Sequence, residues 1–207
     1  MNLKPPDNWE KEINRLQKRI STHHQKEHLI VLYGSSSIRL WVHLQKDLAP
    51  HNVLNLGFGG SSYAWCLRYF NTLFDSISPQ RIIFYAGEND LSQGLSVQQV
   101  FNDFRMLIEK VRDTFSKIKI TVISIKPSPS RATLSEKFNE LNAMYKKYLI
   151  SIEGGTILDL YYPMLTSMGH IKSDLYLSDG LHLNRKGYEI WSYELKKFLD
   201  LQEQLNE

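Results

Sequence analysis

A single cysteine, Cys66, stands among the 207 residues, which leaves no internal disulfide framework and no cysteine-rich zinc site. Long apolar runs are missing as well. No stretch approaches the length of a membrane span, and the opening MNLKPPDNWEKEINRLQKRISTHHQKEH lacks the continuous apolar core of a secretory signal, so a cytoplasmic protein is the expectation. Nor is there charge of one sign: 25 Lys and Arg against 22 Asp and Glu leave +3, with no basic block denser than Lys146-Lys147 or Lys196-Lys197. That balance argues against a nucleic-acid partner. Internal repeats, low-complexity tracts and Pro/Gly/Ser-rich linkers are absent too. What remains is the composition of a globular chain, 42% hydrophobic and 23% charged, at a length that suits one large domain with a sizeable core.

The chain begins with an amphipathic segment. After Pro5-Pro6, Asp7 is placed to cap a helix whose Trp9, Ile13, Leu16 and Ile20 recur on one face, so residues 1–28 are expected to pack as a helix on a single domain of residues 29–207. His24 and His28 have the i, i+4 spacing of a metal pair. No carboxylate or third histidine completes a motif, and the segment is read as a surface helix end with no metal. From Leu29 the pattern changes to short, nearly continuous apolar runs: 29–33, 53–56, 82–86, 118–125 and 156–158. Such runs suit strands buried on both faces.

Helical periodicity fills the gaps. Ser96 and Gln99 form a capping box ahead of an apolar face running from Val97 to Phe115, and Thr133 with Glu136 suggests a second box before Phe138, Leu141 and Tyr145. The stretch after Ser62 and the run from about Arg185 read as helices as well; either can complete the core or offer a homodimer face. Strand alternating with helix predicts an α/β fold: a three-layer αβα sandwich around a flavodoxin-like parallel sheet of about five strands.

In such sheets ligands bind outside the carboxyl ends of the strands, so the residues just beyond each strand matter most. The first strand runs into Gly34-Ser35-Ser36-Ser37, a turn that can hold a hydroxyl beside helix N–H groups. The second runs into Gly57-Phe58-Gly59-Gly60-Ser61-Ser62, where residues without side chains let backbone donors approach a substrate. The third ends in Gly87-Glu88-Asn89-Asp90, with an amide donor between two carboxylates that read best as caps of the next helix. Near the C-terminus, Asp179 and His182 are three residues apart with Gly180 between them, and a carboxylate that orients a histidine is two-thirds of a nucleophilic triad. Alone, each block is an ordinary turn or cap; four in this order are far more specific.

These blocks resemble the SGNH hydrolases, also called the GDSL esterase/lipase family, in the branch similar to platelet-activating-factor acetylhydrolase subunits. YGSSSIRLW is similar to the family's first block, NLGFGGS to the second, YAGENDL to the third and SDGLHLN to the fifth, together spanning residues 29–187. The resemblance implies Ser36 as nucleophile, Asp179 and His182 as its triad partners, and an oxyanion hole from the backbone N–H groups of Ser36 and Gly60 and the side chain of Asn89. It implies carboxylic-ester hydrolysis of a small-molecule substrate with no metal or organic cofactor. One departure stands out: Ser35 occupies the place of the family's aspartate before the nucleophile, and Ser35 and Ser37 compete with Ser36 on sequence grounds. Arg131, in the loop after the fourth strand, is either a contact for an anionic or polyol part of the substrate or, as the stronger reading, a solvated loop charge. The absence of a lid-like apolar insertion favours a short acyl group or soluble ester over bulk lipid. The same catalytic blocks serve carbohydrate deacetylases, lysophospholipases and thioesterases. A non-catalytic binding module on a flavodoxin-like sheet is the reading from another class, and a redox flavodoxin a weaker one.

Overall fold

The computed structural model describes residues 9–23 and 27–204. Five strands, β1 (Ile30–Gly34), β2 (Val53–Gly57), β3 (Arg81–Tyr85), β4 (Lys119–Ile123) and β5 (Gly155–Leu158), form one parallel sheet in the order β2-β1-β3-β4-β5. The helices are α1 (Trp9–Thr22), α2 (Ser36–Arg39), α3 (Leu44–Asp47), α4 (Tyr63–Phe74), α5 (Glu88–Ser92), α6 (Val97–Thr114), α7 (Ser135–Ile150) and α8 (Arg185–Gln204).

The strands are apolar throughout because both faces are covered, and their two-residue period divides the side chains between two cores. Val31, Tyr33, Leu54, Leu56, Ile82, Phe84, Ile120 and Val122 pack beneath α1, α4, α6 and α7. Ile30, Leu32, Val53, Ile83, Tyr85 and Ile123 meet α2, α3 and α8 on the other side. The result is the three-layer α/β sandwich that alternating strands and helices predict.

The amphipathic pattern of α1 sends Trp9, Ile13, Leu16 and Ile20 into the first core, where Trp9 meets Phe58 and Trp65 edge-on at 5.4 and 4.7 Å. Pro5, Pro6 and the capping position Asp7 lie outside the described residues, as does His24 of the candidate metal pair; His28 faces Gln80, with Nδ1 3.2 Å from Oε1. The capping box of Ser96 and Gln99 forms at the start of α6. The Thr133–Glu136 box does not form. A 3-10 turn over Pro129–Leu134 leads directly into α7, so Thr133 already has helical backbone and is not in the extended conformation a cap needs, while Glu136 sits in the first turn of α7.

One close approach sets the end of β1. Gly34 has φ +143° and lies against Tyr85 of β3, so that a Cβ there would fall 2.0 Å from the Tyr85 carbonyl oxygen. Replacing Gly34 with alanine is expected to destabilise the fold by at least about 1–3 kcal/mol, from backbone strain before any clash is counted. A denaturant melt checks this, and an unchanged midpoint would mean that the close packing at Tyr85 is not required.

Candidate active site

All four sequence blocks converge at the carboxyl ends of the strands. The Gly34–Ser36 turn is tied to both neighbours: the Ser35 N–H donates to the Tyr85 carbonyl at 2.9 Å, and the Phe58 N–H donates to the Gly34 carbonyl at 2.9 Å. The Ser35 carbonyl then accepts from the N–H groups of Ile38 and Arg39, starting α2. Backbone bonds thus hold this turn with serine, rather than aspartate, at position 35. Ser35 and Ser37 are buried, whereas Ser36, first residue of α2, is partly open to solvent. Tyr188 of α8 donates its hydroxyl to the Ser37 carbonyl at 2.9 Å and fixes the turn from below.

Across 146 residues of sequence, His182 Nε2 lies 3.0 Å from Ser36 Oγ, and His182 Nδ1 lies 2.6 Å from Asp179 Oδ2. An ionised carboxylate only accepts, so a neutral His182 carries its proton on Nδ1 and presents Nε2 to the serine hydroxyl as an acceptor. Desolvation, the largest single influence on Asp179, raises its pKa. The hydrogen bonds from the His182 side chain and from the N–H groups of His182 and Leu181 outweigh it and bring the carboxyl down to about 2. The loop closes on itself through the Leu177 N–H donating to the His182 carbonyl, and it docks on the segment after β4 through Ser130, whose N–H and hydroxyl both donate to the Gly180 carbonyl at 3.0 and 3.1 Å.

Three candidate donors lie in the segments that directly follow β1, β2 and β3. Among the described residues, the N–H groups of Ser36 and Gly60 have no acceptor. Asn89 spends one amide N–H on the Ser61 carbonyl at 3.1 Å and keeps the other. Gly60 sits at φ +69°, and the loop that carries it is braced from α1: Glu12 accepts from the Gly59 N–H at 3.1 Å and pairs with Arg39 at 3.4 Å.

Two expectations need correction. Arg131 is not a solvated loop charge. Its side chain is 17% exposed, its Nη2 donates to Asn89 Oδ1 at 3.1 Å, and its Nη1 lies 3.7 Å from Glu88. Because a guanidinium only donates, it holds the Asn89 carbonyl toward itself and turns the amide nitrogen toward Ser61. Glu88 does not cap the next helix either. It is buried and accepts from Lys126 Nζ at 3.0 and 3.1 Å, from Tyr85 Oη at 2.8 Å and from Ser128 Oγ at 3.2 Å. Asp90 does play the capping role, accepting from the N–H groups of Gly87 at 3.2 Å and Tyr63 at 3.0 Å, while burial pushes its carboxyl up to about 6.

The residue that sequence reasoning missed is Lys126. It is fully buried, lies between the rings of Tyr85 and Tyr176 at 6.0 and 5.7 Å, and its pKa is lowered by burial against the pull of Glu88. A signal was available: a lysine directly after the apolar run 118–125 of a buried strand requires a partner. The one metal-ligand cluster among the described residues, His51 with Asp200 and Glu203, lies at the opposite ends of the strands, and both ring nitrogens already face the two carboxylates at 2.9 and 3.1 Å.

The model of the GDSL-like lipase/acylhydrolase family matches residues 6–190. The chain belongs to that family. As a GDSL-like acylhydrolase it is a hydrolase of ester bonds. Its fold is shared with a Streptococcus pneumonia structure described provisionally as a platelet activating factor, at TM-score 0.81 and 20% identity over 93% of this chain and 95% of that one. It is also similar to a GDSL-like lipase from Bacteroides thetaiotaomicron, at TM-score 0.75 and 21% identity over 92% and 98% of the two chains. A family 3 carbohydrate esterase from Clostridium thermocellum matches at TM-score 0.66 and 15% identity, covering 86% and 98%. No curated protein matches the chain. Among the described residues of this GDSL-like chain, no helix is long and apolar enough to cross a membrane.

Removing one partner of a buried pair strands the other charge, so Lys126→Met is expected to cost about 3–5 kcal/mol. The double variant with Glu88→Gln is expected to recover much of that loss, as read from urea midpoints. Equal losses in the single and double variants would show that the pair is not coupled.

Proposed function

We propose that the chain is a serine esterase that forms an acyl-enzyme on Ser36 and acts on short-acyl or soluble esters. The observation that carries this reading is the hydrogen-bonded series Asp179–His182–Ser36, with Ser36 the one serine of its turn open to solvent.

Ser36 Oγ attacks the ester carbonyl carbon while His182 Nε2 takes its proton. The carbonyl oxygen, now carrying the negative charge, is received by the N–H groups of Ser36 and Gly60 and by the free amide N–H of Asn89. Collapse of this intermediate breaks the bond to the alcohol oxygen, which leaves with the proton from His182. Water then repeats the sequence: His182 takes its proton, its oxygen attacks the acyl carbon, and Ser36 departs with the proton returned. Asp179, with its carboxyl held at about 2, stays an anion throughout the working pH range and stabilises the imidazolium formed in each half.

A short or soluble substrate is supported by the openness of the site. The Asp179 side chain is 47% exposed and that of His182 25%, so both are reached directly from solvent. A panel of p-nitrophenyl esters from acetyl to long-chain acyl, with an acetylated sugar and an acyl thioester included, tests the reading. The rate is expected to be highest for acetyl and to fall with chain length. A maximum at long chains would contradict the assignment, and a preference for the sugar or thioester would redirect it within the family.

Asn89→Ala is expected to lower kcat by about 10²- to 10³-fold with a much smaller effect on KM, the cost of losing one oxyanion donor. Unchanged kcat would remove Asn89 from the hole. Ser36→Ala is expected to lower kcat by about 10⁶-fold while the thermal melt stays near that of the unmodified protein. Retained turnover would move the nucleophile to Ser35 or Ser37.

A further inference from the structure

β2 is an edge strand, and beside it, between α1 and the segment running from α2 into α3, lies a cleft of about 540 Å³. Arg15, Arg19 and Arg39 line it together with His23, and among the described residues no Asp or Glu does. The charge is poorly compensated. Arg39 pairs with Glu12 at 3.4 Å, but among the described residues no carboxylate lies within 4 Å of Arg15 or Arg19. The Arg19 guanidinium has its pKa lowered, first by burial and then by the neighbouring charge of Arg15, so the two cations repel each other.

An arginine across an exposed strand edge has a bland use: it occupies a carbonyl that another chain could pair with. Arg19 fits that role, since its Nη1 donates to the Asn55 carbonyl at 2.7 Å. Arg15 and Arg39 do not, because neither donates to a β2 carbonyl. Trp41, Val42, Leu44, Val53 and Leu54 give the cleft an apolar part, and Asn55 a polar one. Asn55 Nδ2 donates to the Ile38 carbonyl at 2.6 Å and its Oδ1 accepts from the Gly57 N–H at 3.0 Å, and Thr22, Gln45 and Asn52 add further polar groups to the walls.

We propose that this cleft binds a phosphorylated small molecule, with its phosphate oxygens held between Arg15, Arg19 and Arg39. A phosphate matches the planar fork of a guanidinium with two acceptor oxygens at once, and its two negative charges offset the uncompensated cations better than a single carboxylate does. The volume falls within the range of small-ligand sites, and the amide and hydroxyl groups of the walls suit a polar body such as a sugar. A concave cleft in a chain of net charge +3 does not fit the extended basic stripe that tracks a nucleic acid.

The test uses pyrophosphate as the probe and is independent of the esterase reading, since it reads binding and not turnover. Titration calorimetry on the whole protein, at ionic strength held constant with sodium chloride, is expected to give saturable binding near one pyrophosphate per chain. Arg15→Gln is expected to weaken it at least tenfold and Arg15→Gln with Arg39→Gln to abolish it. Arg19 is left in place because it also holds the Asn55 carbonyl. Arg105→Gln, a change of equal charge on the exposed face of α6, is expected to bind as the unmodified protein does, and melts without pyrophosphate verify that every variant is folded. The proposal is overturned if binding is not saturable at millimolar pyrophosphate, if the double variant binds normally, or if Arg105→Gln weakens binding as much as Arg15→Gln.

Discussion

A buried charge requires a partner, and Glu88 with Lys126 answers that requirement at the point where the site is assembled. Glu88 follows β3 and Lys126 follows β4, so their pairing locks the exits of two adjacent strands together. The segment after Lys126 then does two things. Ser130 holds the Gly180 carbonyl and so carries the loop with Asp179 and His182, and Arg131 holds Asn89. Tyr85 links the pair to the opposite side, because its hydroxyl donates to Glu88 while its carbonyl accepts from Ser35 beside Ser36. His182, Asp179, Asn89 and the Ser35–Ser36 turn are therefore all tied to one buried ion pair whose side chains hydrogen-bond directly to none of them.

This arrangement separates local from global precision. Asp179 and His182 share one turn, so their mutual geometry depends on three residues and a glycine at φ +63°. The distance from His182 to Ser36 depends on the sheet order, on the close approach of Gly34 to β3 and on the docking of the C-terminal loop on the β4 exit. In the proposed reaction, preorganisation of this kind would let fixed donors stabilise a developing oxyanion without reorganising. The N-terminal helix takes part as well, since Glu12 braces the loop that carries Gly60.

The sheet and most helices were legible in the sequence because their signals are local. A run such as Ile82–Ala86 reports a strand buried on both faces, and Ser96 with Gln99 reports a helix start, whatever surrounds them. The four polar blocks were legible because each directly succeeds a strand or fills one loop. Arg131 and Glu88 were misread because their partners lie 42 and 38 residues away and meet them only through the order of β3 and β4. The Thr133–Glu136 box failed for a related reason: the tie between Ser130 and Gly180 belongs to a 3-10 turn that leads into α7 and takes Thr133 with it. Lys126 was the clearest missed signal, since its position after a buried strand already called for an anion.

On this account the whole assembly serves to activate one hydroxyl. Treating the protein with a fluorophosphonate, which loses fluoride as a serine oxygen bonds to phosphorus, and locating the adduct by peptide mass spectrometry tests it most directly. A single adduct on Ser36, absent from the His182→Ala variant, is the predicted result. An adduct on Ser35 or Ser37, or none while activated esters are still turned over, would contradict the account.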